Sequence, residues 1–399
     1  MGLNATPSAN RVHIGFFGRR NVGKSSLVNA VTGQETAVVS DVKGTTTDAV
    51  TKSMELLPLG PVVIIDTPGY DDEGQLGELR IARTKRVLNK TDIAVLVSEA
   101  EAGLGECEEE LVDIFKKKNI PFLIVYNKSE QVKEFKKLSE NEMLVSAKKK
   151  IGITELKDKL ASMIPSDTDR KIVGDLIKPN DMIVLVTPID AAAPKGRLIL
   201  PQQQTIRDIL DSDAMTLTVK ETELQKALDS LKEPPVMVIT DSQAFKVVSE
   251  IVPEEVPLTS FSILMARYKG FLTEAVKGAA AIGKLKDGDK VLICEGCTHH
   301  RQCGDIGSFK LPNWIREYSG VDIKITNTSG MDFPEDLSEY ALIIHCGGCM
   351  LNEREVQYRM KCAIDQGIPF TNYGTAIAHV NGILKRSLSV VPEIANMLK

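Results

Sequence analysis

Two groups of residues in this chain have the types and spacing to do chemistry. The first is Gly18-Arg19-Arg20-Asn21-Val22-Gly23-Lys24-Ser25, a glycine-bounded loop closed by a lysine and a hydroxyl. Loops of this pattern curl so that successive backbone N–H groups face phosphate oxygens. Gly18, Asn21, Val22, Gly23, Lys24, Ser25 and Ser26 form the expected cradle. Lys24 is placed on the β- and γ-phosphates and the Ser25 hydroxyl on Mg²⁺. The second group is built on cysteine. Cys297-Thr298-His299 is followed much later by His345-Cys346-Gly347-Gly348-Cys349. Thiolates in such a set hold a metal ion or an iron–sulfur cluster.

Further segments complete a nucleotide site. Asp66-Thr67-Pro68-Gly69 ends an apolar run, which puts a carboxylate near Mg²⁺ and a glycine amide near the γ-phosphate. Gly44-Thr45-Thr46-Thr47-Asp48 lies between this run and the first loop, where a mobile threonine can close on Mg²⁺. Thr46 is the expected Mg²⁺ ligand, with Thr45 beside it, and Lys24, Thr46, Asp66 and Gly69 are the expected catalytic set. Asn127-Lys128-Ser129-Glu130 and Ser146-Ala147-Lys148 supply base recognition. Their spacing resembles the guanine-specificity elements of translation-factor-like GTPases, the group related to tRNA-modifying and ribosome-assembly members, which implies GTP and GDP as ligands. That pattern has Asp where this chain has Glu130. The longer carboxylate can still accept from guanine N1–H and N2–H. Tyr70 stands where many GTPases carry a water-orienting Gln, so hydrolysis is expected to be slow. Asn21 stands where potassium-activated members of the group carry Asn, which implies a K⁺ requirement; a plain turn residue is the other reading.

The cysteine set admits more than one first shell. Cys297, Cys346 and Cys349 can hold three corners of a 4Fe–4S cubane, with the fourth corner left open or held by His299, Asp305 or His345. Alternatively, Cys294, Cys297, Cys346 and Cys349 read as a structural zinc site. Buried reduced thiols are the third reading. Cys107 and Cys362 fall in helical segments and are read as structural. The role of Cys303 is open.

These residues need elements to position them. With 399 residues the chain exceeds one ordinary core. Short apolar runs alternating with amphipathic stretches predict α/β structure throughout. Strands are expected at Val12–Phe17, Val62–Asp66, Ile93–Val97, Pro121–Tyr126 and Met143–Val145, then Met182–Pro188, Met215–Val219, Val236–Thr240 and Leu258–Ser262. Lys290–Cys294, Asp322–Thr326, Leu342–His345 and Pro369–Asn372 complete the set, after one helix over Met265–Leu285. Three domains follow: 1–168 with the phosphate loop, 171–263, and a doubly wound 264–399. Pro165 to Arg170 is the first linker. The middle domain has no cysteine or histidine and is expected to be an assembly surface. Both cysteine clusters then lie past the carboxyl ends of parallel strands, where such sheets place ligands.

Composition excludes several classes. A formal net charge of −5 argues against a protein that binds nucleic acid through bulk electrostatics. No run approaches 18 apolar residues, so no membrane span is expected. Seven cysteines on so long a chain are not a secreted disulfide framework, which points to the cytoplasm.

The cysteine motifs add a specific likeness. A GTPase domain followed by Cys297-Thr298-His299 and His345-Cys346-Gly347-Gly348-Cys349 resembles the HydF family of FeFe-hydrogenase maturation GTPases. Cys349-Met350-Leu351-Asn352-Glu353-Arg354-Glu355 and Thr371-Asn372-Tyr373-Gly374-Thr375 resemble that family too. Thr187-Pro188-Ile189-Asp190 and Ala193-Pro194-Lys195-Gly196-Arg197 are similar to its dimerisation domain. The resemblance covers the whole chain and implies a P-loop GTPase domain, a dimerisation domain and a cluster-binding domain. It implies a scaffold whose 4Fe–4S cluster is held by Cys297, Cys346 and Cys349. The scaffold would receive a transient diiron precursor from the radical-SAM maturases HydE and HydG and pass it to apo-FeFe-hydrogenase. GTP would act as a switch on partner docking, in a homodimer or higher homo-oligomer. The alternative function is a regulatory GTPase of ribosome or tRNA maturation with structural zinc.

Overall fold

Short apolar runs become buried parallel strands along most of this chain. The structure, a computed structural model, describes residues 8–33, 50–69, 87–135, 137–164, 170–189, 198–296, 306–330 and 332–396. It divides into two units, Met1–Thr168 and Asp169–Lys399. The expected linker lies outside the described residues except for Arg170.

The first unit holds a six-stranded sheet. Its strands are β1 (Val12–Phe17), β2 (Val50–Leu56), β3 (Gly60–Asp66), β4 (Ile93–Glu99), β5 (Phe122–Asn127) and β6 (Glu142–Leu144). They lie in the order β2-β3-β1-β4-β5-β6. Helices α1 (Lys24–Thr32), α2 (Glu106–Lys117) and α3 (Ile153–Ser162) accompany them. Successive strand residues serve opposite faces. Val62 and Ile64 cluster with Leu27 of α1 and Leu156 of α3. Val63 and Ile65 cluster with Leu111 and Phe115 of α2. Covering both faces is why these strands read as unbroken apolar runs. Strand β2 is an addition to the expected set. It pairs antiparallel with β3 at the sheet edge and is largely exposed, so Val-Thr-Lys-Ser-Met-Glu-Leu carries no apolar run to betray it.

The second unit carries two four-stranded parallel sheets. The first has β7 (Met182–Val186), β8 (Met215–Val219), β9 (Met237–Thr240) and β10 (Leu258–Ser260), with α4 (Leu200–Leu210), α5 (Leu224–Ser230) and α6 (Phe245–Ile251). Its order is β10-β9-β7-β8. Two helices follow, α7 (Phe261–Tyr268) and α8 (Leu272–Ala279). The second sheet has β11 (Lys290–Glu295), β12 (Lys324–Ser329), β13 (Leu342–His345) and β14 (Phe370–Asn372), in the order β12-β11-β13-β14. It is served by α9 (Leu311–Ser319), α10 (Glu353–Asp365) and α11 (Tyr373–Val380). One apolar cluster runs through both sheets, from Ile172 to Ile394.

The single helix expected over Met265–Leu285 is two helices. Gly270 takes a φ of +73°, and Phe271 N–H closes α7 by donating to Ala266 O at 2.9 Å. Phe271 is thereby buried and the chain turns into α8. Apolar periodicity runs across the break, which hid it from the sequence. No described helix is long and apolar enough to cross a membrane.

A buried ion pair lies within α10. Arg359 is fully buried and donates from Nε to Glu355 Oε1 at 2.9 Å, with a second bond to Gly330 O at 2.7 Å. Its guanidinium also lies 5.3 Å from the centre of the Phe333 ring. Arg359→Met would leave the buried Glu355 carboxylate without its cation, at a cost of roughly 3–5 kcal/mol. Urea unfolding followed by the fluorescence of Trp314, the single tryptophan, reads this unit alone. An unchanged midpoint would show that the pair adds nothing to stability.

Candidate functional site

The phosphate loop is shaped by backbone positions that only glycine fits. Gly18 has φ +138°, and a Cβ there would lie 2.2 Å from Val97 O on β4. Gly23 has φ +90°, and a Cβ there would lie 2.4 Å from Asn127 Nδ2. Asn21 also takes a left-handed φ of 60° and is exposed, as is Ser26, whereas Val22 is buried. Lys24 opens α1, is buried, and donates from Nζ to Gly18 O at 2.9 Å and to Arg19 O at 2.5 Å. Its ammonium therefore spans the loop at the helix N-terminus.

Ser25 Oγ donates to Asp66 Oδ2 at 2.6 Å, while Asp66 Oδ1 has no partner among the described residues. Burial pushes the Asp66 carboxyl above its ordinary range, against the Ser25 bond and the Lys24 charge. A hydroxyl and a carboxylate paired at the loop, with one oxygen left over, suit a hydrated Mg²⁺. Gly69 closes the described segment after β3; Thr45, Thr46 and Tyr70 lie outside the described residues.

Asn127 acts as a strut. Its Nδ2 donates to Val22 O at 3.1 Å, and its Oδ1 accepts from Ala147 N–H at 3.0 Å. One side chain thus joins the phosphate loop to the Ser146-Ala147 segment. Lys128 takes a left-handed φ of 61° and pairs with Glu99. One oxygen of Glu130 has no partner among the described residues. The Ser146 hydroxyl is the main cause holding that carboxyl below its usual range. An ionised carboxylate with an oxygen to spare can accept N–H donors from a base. No sequence pattern singled out the buried Glu108, which accepts from Arg19 Nε at 2.9 Å and from Gly105 N–H at 3.1 Å.

The cysteine site sits at the carboxyl edge of the second parallel sheet. β11 and β13 are paired, with Cys294 opposite His345. Cys346-Gly347-Gly348-Cys349 follows β13, with Gly348 at φ +64°. Cys346 Sγ accepts from Gly296 N–H at 3.1 Å and from Gly348 N–H at 3.3 Å. Such amides favour thiolate sulfur and tune a cluster held by it. Burial raises the Cys346 thiol and pushes Cys349 up to about 11, so without a metal both remain protonated. Asn352 caps α10 and Asn372 caps α11, so both helices turn their positive ends to the edge where β13 and β14 finish.

Beneath this loop lies a lysine that periodicity did not single out. Lys269 is buried and donates from Nζ to Gly348 O and to Leu351 O, the latter at 2.5 Å. Glu295, also buried, accepts from Tyr373 OH at 3.0 Å.

One member of the alternative four-cysteine shell lies in the core. Cys294 is fully buried in the apolar core, and that burial pushes its thiol up to about 12. His345 is also fully buried. Its Nδ1 faces Cys346 O at 2.7 Å and its Nε2 faces Arg359 NH1 at 3.4 Å, so both ring nitrogens are engaged by protein. Burial pushes the imidazole down to about 3, which keeps it neutral. Cys297, His299, Cys303 and Asp305 lie outside the described residues. Among those described, no group of three or more His, Cys, Asp and Glu is arranged to hold a metal ion. Cys107 and Cys362 pack against their respective cores.

Comparison with known proteins divides the chain in three. Residues 13–128 match the 50S ribosome-binding GTPase family, 172–270 the hydrogen maturase F dimerization domain, and 273–390 the hydrogen maturase F tetramerization domain. The GTPase Der of Wolinella succinogenes is 36% identical over 133 residues, covering 32% of this chain and 28% of Der. The tRNA modification GTPase MnmE of Desulforamulus reducens is 31% identical over 159 residues, covering 37% of this chain and 34% of MnmE. The chain spans about a third of the length of these curated relatives. A solved structure of Era with MgGDPNP and nucleotides of 16S ribosomal RNA covers 52% of this chain and 93% of its own, at 19% identity and a TM-score of 0.36.

Proposed function

We propose that this chain, which belongs to the hydrogen maturase F family, is a GTP-hydrolysing scaffold that carries a 4Fe–4S cluster, receives a diiron precursor and delivers it to apo-FeFe-hydrogenase. The observation that carries this reading is the amide-lined Cys346–Cys349 loop at a parallel sheet edge, on the same chain as a glycine-shaped phosphate loop. Neither a housekeeping GTPase nor a simple zinc protein needs both.

On the nucleotide side, the loop amides and Lys24 bind the phosphates, and Ser25 with Asp66 orients Mg²⁺. Thr46, with Thr45 beside it, closes on Mg²⁺ when the γ-phosphate is present, and Gly69 offers its amide to that phosphate. Asn127 couples phosphate loop to base pocket, where Glu130 accepts from guanine and Lys128, Ser146 and Ala147 complete the pocket. Tyr70 in place of a glutamine keeps hydrolysis slow, as a switch on docking requires, and Asn21 holds K⁺. Glu130→Ala is expected to weaken GDP binding by about 10- to 100-fold, from ~1.5–3 kcal/mol per charge-assisted bond. Calorimetry with GDP and ADP checks this, because equal losses for both nucleotides would remove Glu130 from base recognition.

On the cluster side, Cys297, Cys346 and Cys349 hold the group, with the fourth ligand drawn from His299 or Asp305. When bound, the group offers a corner at which a precursor can be taken up and released. The middle and last domains make the homo-oligomer, and HydE, HydG and the hydrogenase are the partners. The deciding experiment is iron and acid-labile sulfide content after strictly anaerobic preparation. About four of each per chain supports the scaffold. Stoichiometric zinc without sulfide overturns it.

A further inference from the structure

We propose that Lys269 is the fixed positive charge of the cluster site, holding the cysteine loop by its carbonyls and setting how readily a bound cluster accepts an electron. This rests on the reading that the Cys346–Cys349 loop carries a 4Fe–4S cluster.

Three observations converge on this residue. Lys269 is buried, and its two hydrogen-bond acceptors, Gly348 O and Leu351 O, belong to or adjoin the loop between the two cysteines. The backbone that presents it is fixed. It caps α7 immediately before the left-handed Gly270, and its own carbonyl accepts from Gln357 Nε2 at 2.6 Å. Finally, both acceptors are neutral carbonyls, so the ammonium is not cancelled at contact distance by either of them. Once ionised, Cys349 and then Cys346 favour its charge most, followed by Glu353. Glu353 is itself half-exposed and pairs with Arg170 at 2.7 Å.

A buried ammonium without a compensating anion costs several kcal/mol. Metal binding deprotonates the thiols. The charge beneath the loop is then matched from above. When a thiolate-held cluster takes one electron from an external reductant, its negative charge grows by one, and a nearby fixed cation favours the reduced form. Burial brings Lys269 down to about 8 even with the support of the two thiolates, which leaves it mostly charged at neutral pH.

The test uses the full chain, reconstituted anaerobically, as wild type, Lys269→Gln and Lys269→Met. Iron and sulfide are counted, and the reduction midpoint is read by EPR during dithionite titration. Glutamine keeps N–H donors for the two carbonyls but not the charge; methionine loses both. Both variants are expected to shift the reduction equilibrium at least about tenfold against the reduced cluster, equivalent to roughly 59 mV for one electron. Loss of the cluster from a folded Lys269→Gln chain, with Trp314 fluorescence as the folding readout, would also support the charge, since the donors remain. A wild-type midpoint in Lys269→Gln overturns the proposal whatever Lys269→Met does. If the wild type itself holds no 4Fe–4S cluster, the scaffold reading fails first, and that failure is seen before any variant is measured.

Discussion

Replacing Lys24 by alanine is expected to lower kcat/KM for GTP about a thousandfold, or ~4 kcal/mol of transition-state stabilisation. The ammonium is buried and held at the loop mouth by Gly18 O and Arg19 O. Those carbonyls are placeholders for stronger acceptors. Phosphate oxygens arriving at the helix N-terminus offer charge-assisted bonds, and the chain supplies no second buried lysine in that loop. The loop backbone should survive the change, because its shape is set by Gly18, Gly23 and the Asn127 strut. GTP turnover measured at saturating Mg²⁺, alongside circular dichroism, separates chemistry from folding. A kcat/KM within a few-fold of wild type would show that this loop is not the phosphate site.

Cys346→Ala is expected to take iron and sulfide from about four per chain to near zero, with the fold retained. Cys346 is the sulfur that two backbone amides address, those of Gly296 and Gly348, so it joins the ends of β11 and β13 into one site. Cys294→Ala makes the contrast. That thiol is fully buried among apolar side chains, and its loss is expected to cost stability, about 1 kcal/mol for a small cavity, while iron content stays at the wild-type value. Analysing both variants after identical anaerobic reconstitution decides the first shell. Equal loss of iron from the two would restore the four-cysteine arrangement.

The sequence alone determined whatever depends on local backbone. Gly18 and Gly23 stand where the loop must adopt left-handed or crowded conformations, and glycine is readable at a distance of one residue. The strand runs around β1, β4, β7 and β13 are continuous because helices cover both faces of parallel sheets, and the sheet edge as ligand position follows from that topology. The cysteine motifs carried the family likeness for the same reason: they are short and local.

Tertiary structure alone decided which side chains meet. Asn127 finds Val22 O across 105 positions and Lys269 finds Gly348 O across 79. Glu108 anchors Arg19 across 89. Composition and spacing do not encode such encounters, because they arise only when segments distant along the chain fold against one another. Strand β2 escaped notice since an exposed edge strand needs no apolar run. The break at Gly270 escaped because the apolar period passes through it unchanged. Cys294 and Cys346 look alike in the sequence. Strand register places Cys294 opposite His345 inside the core, and the chain leaves the sheet before Cys346, so one thiol is packed and the other accepts from the Gly296 amide. Backbone shape is a property of neighbours along the chain, whereas burial and charge compensation are properties of neighbours in space.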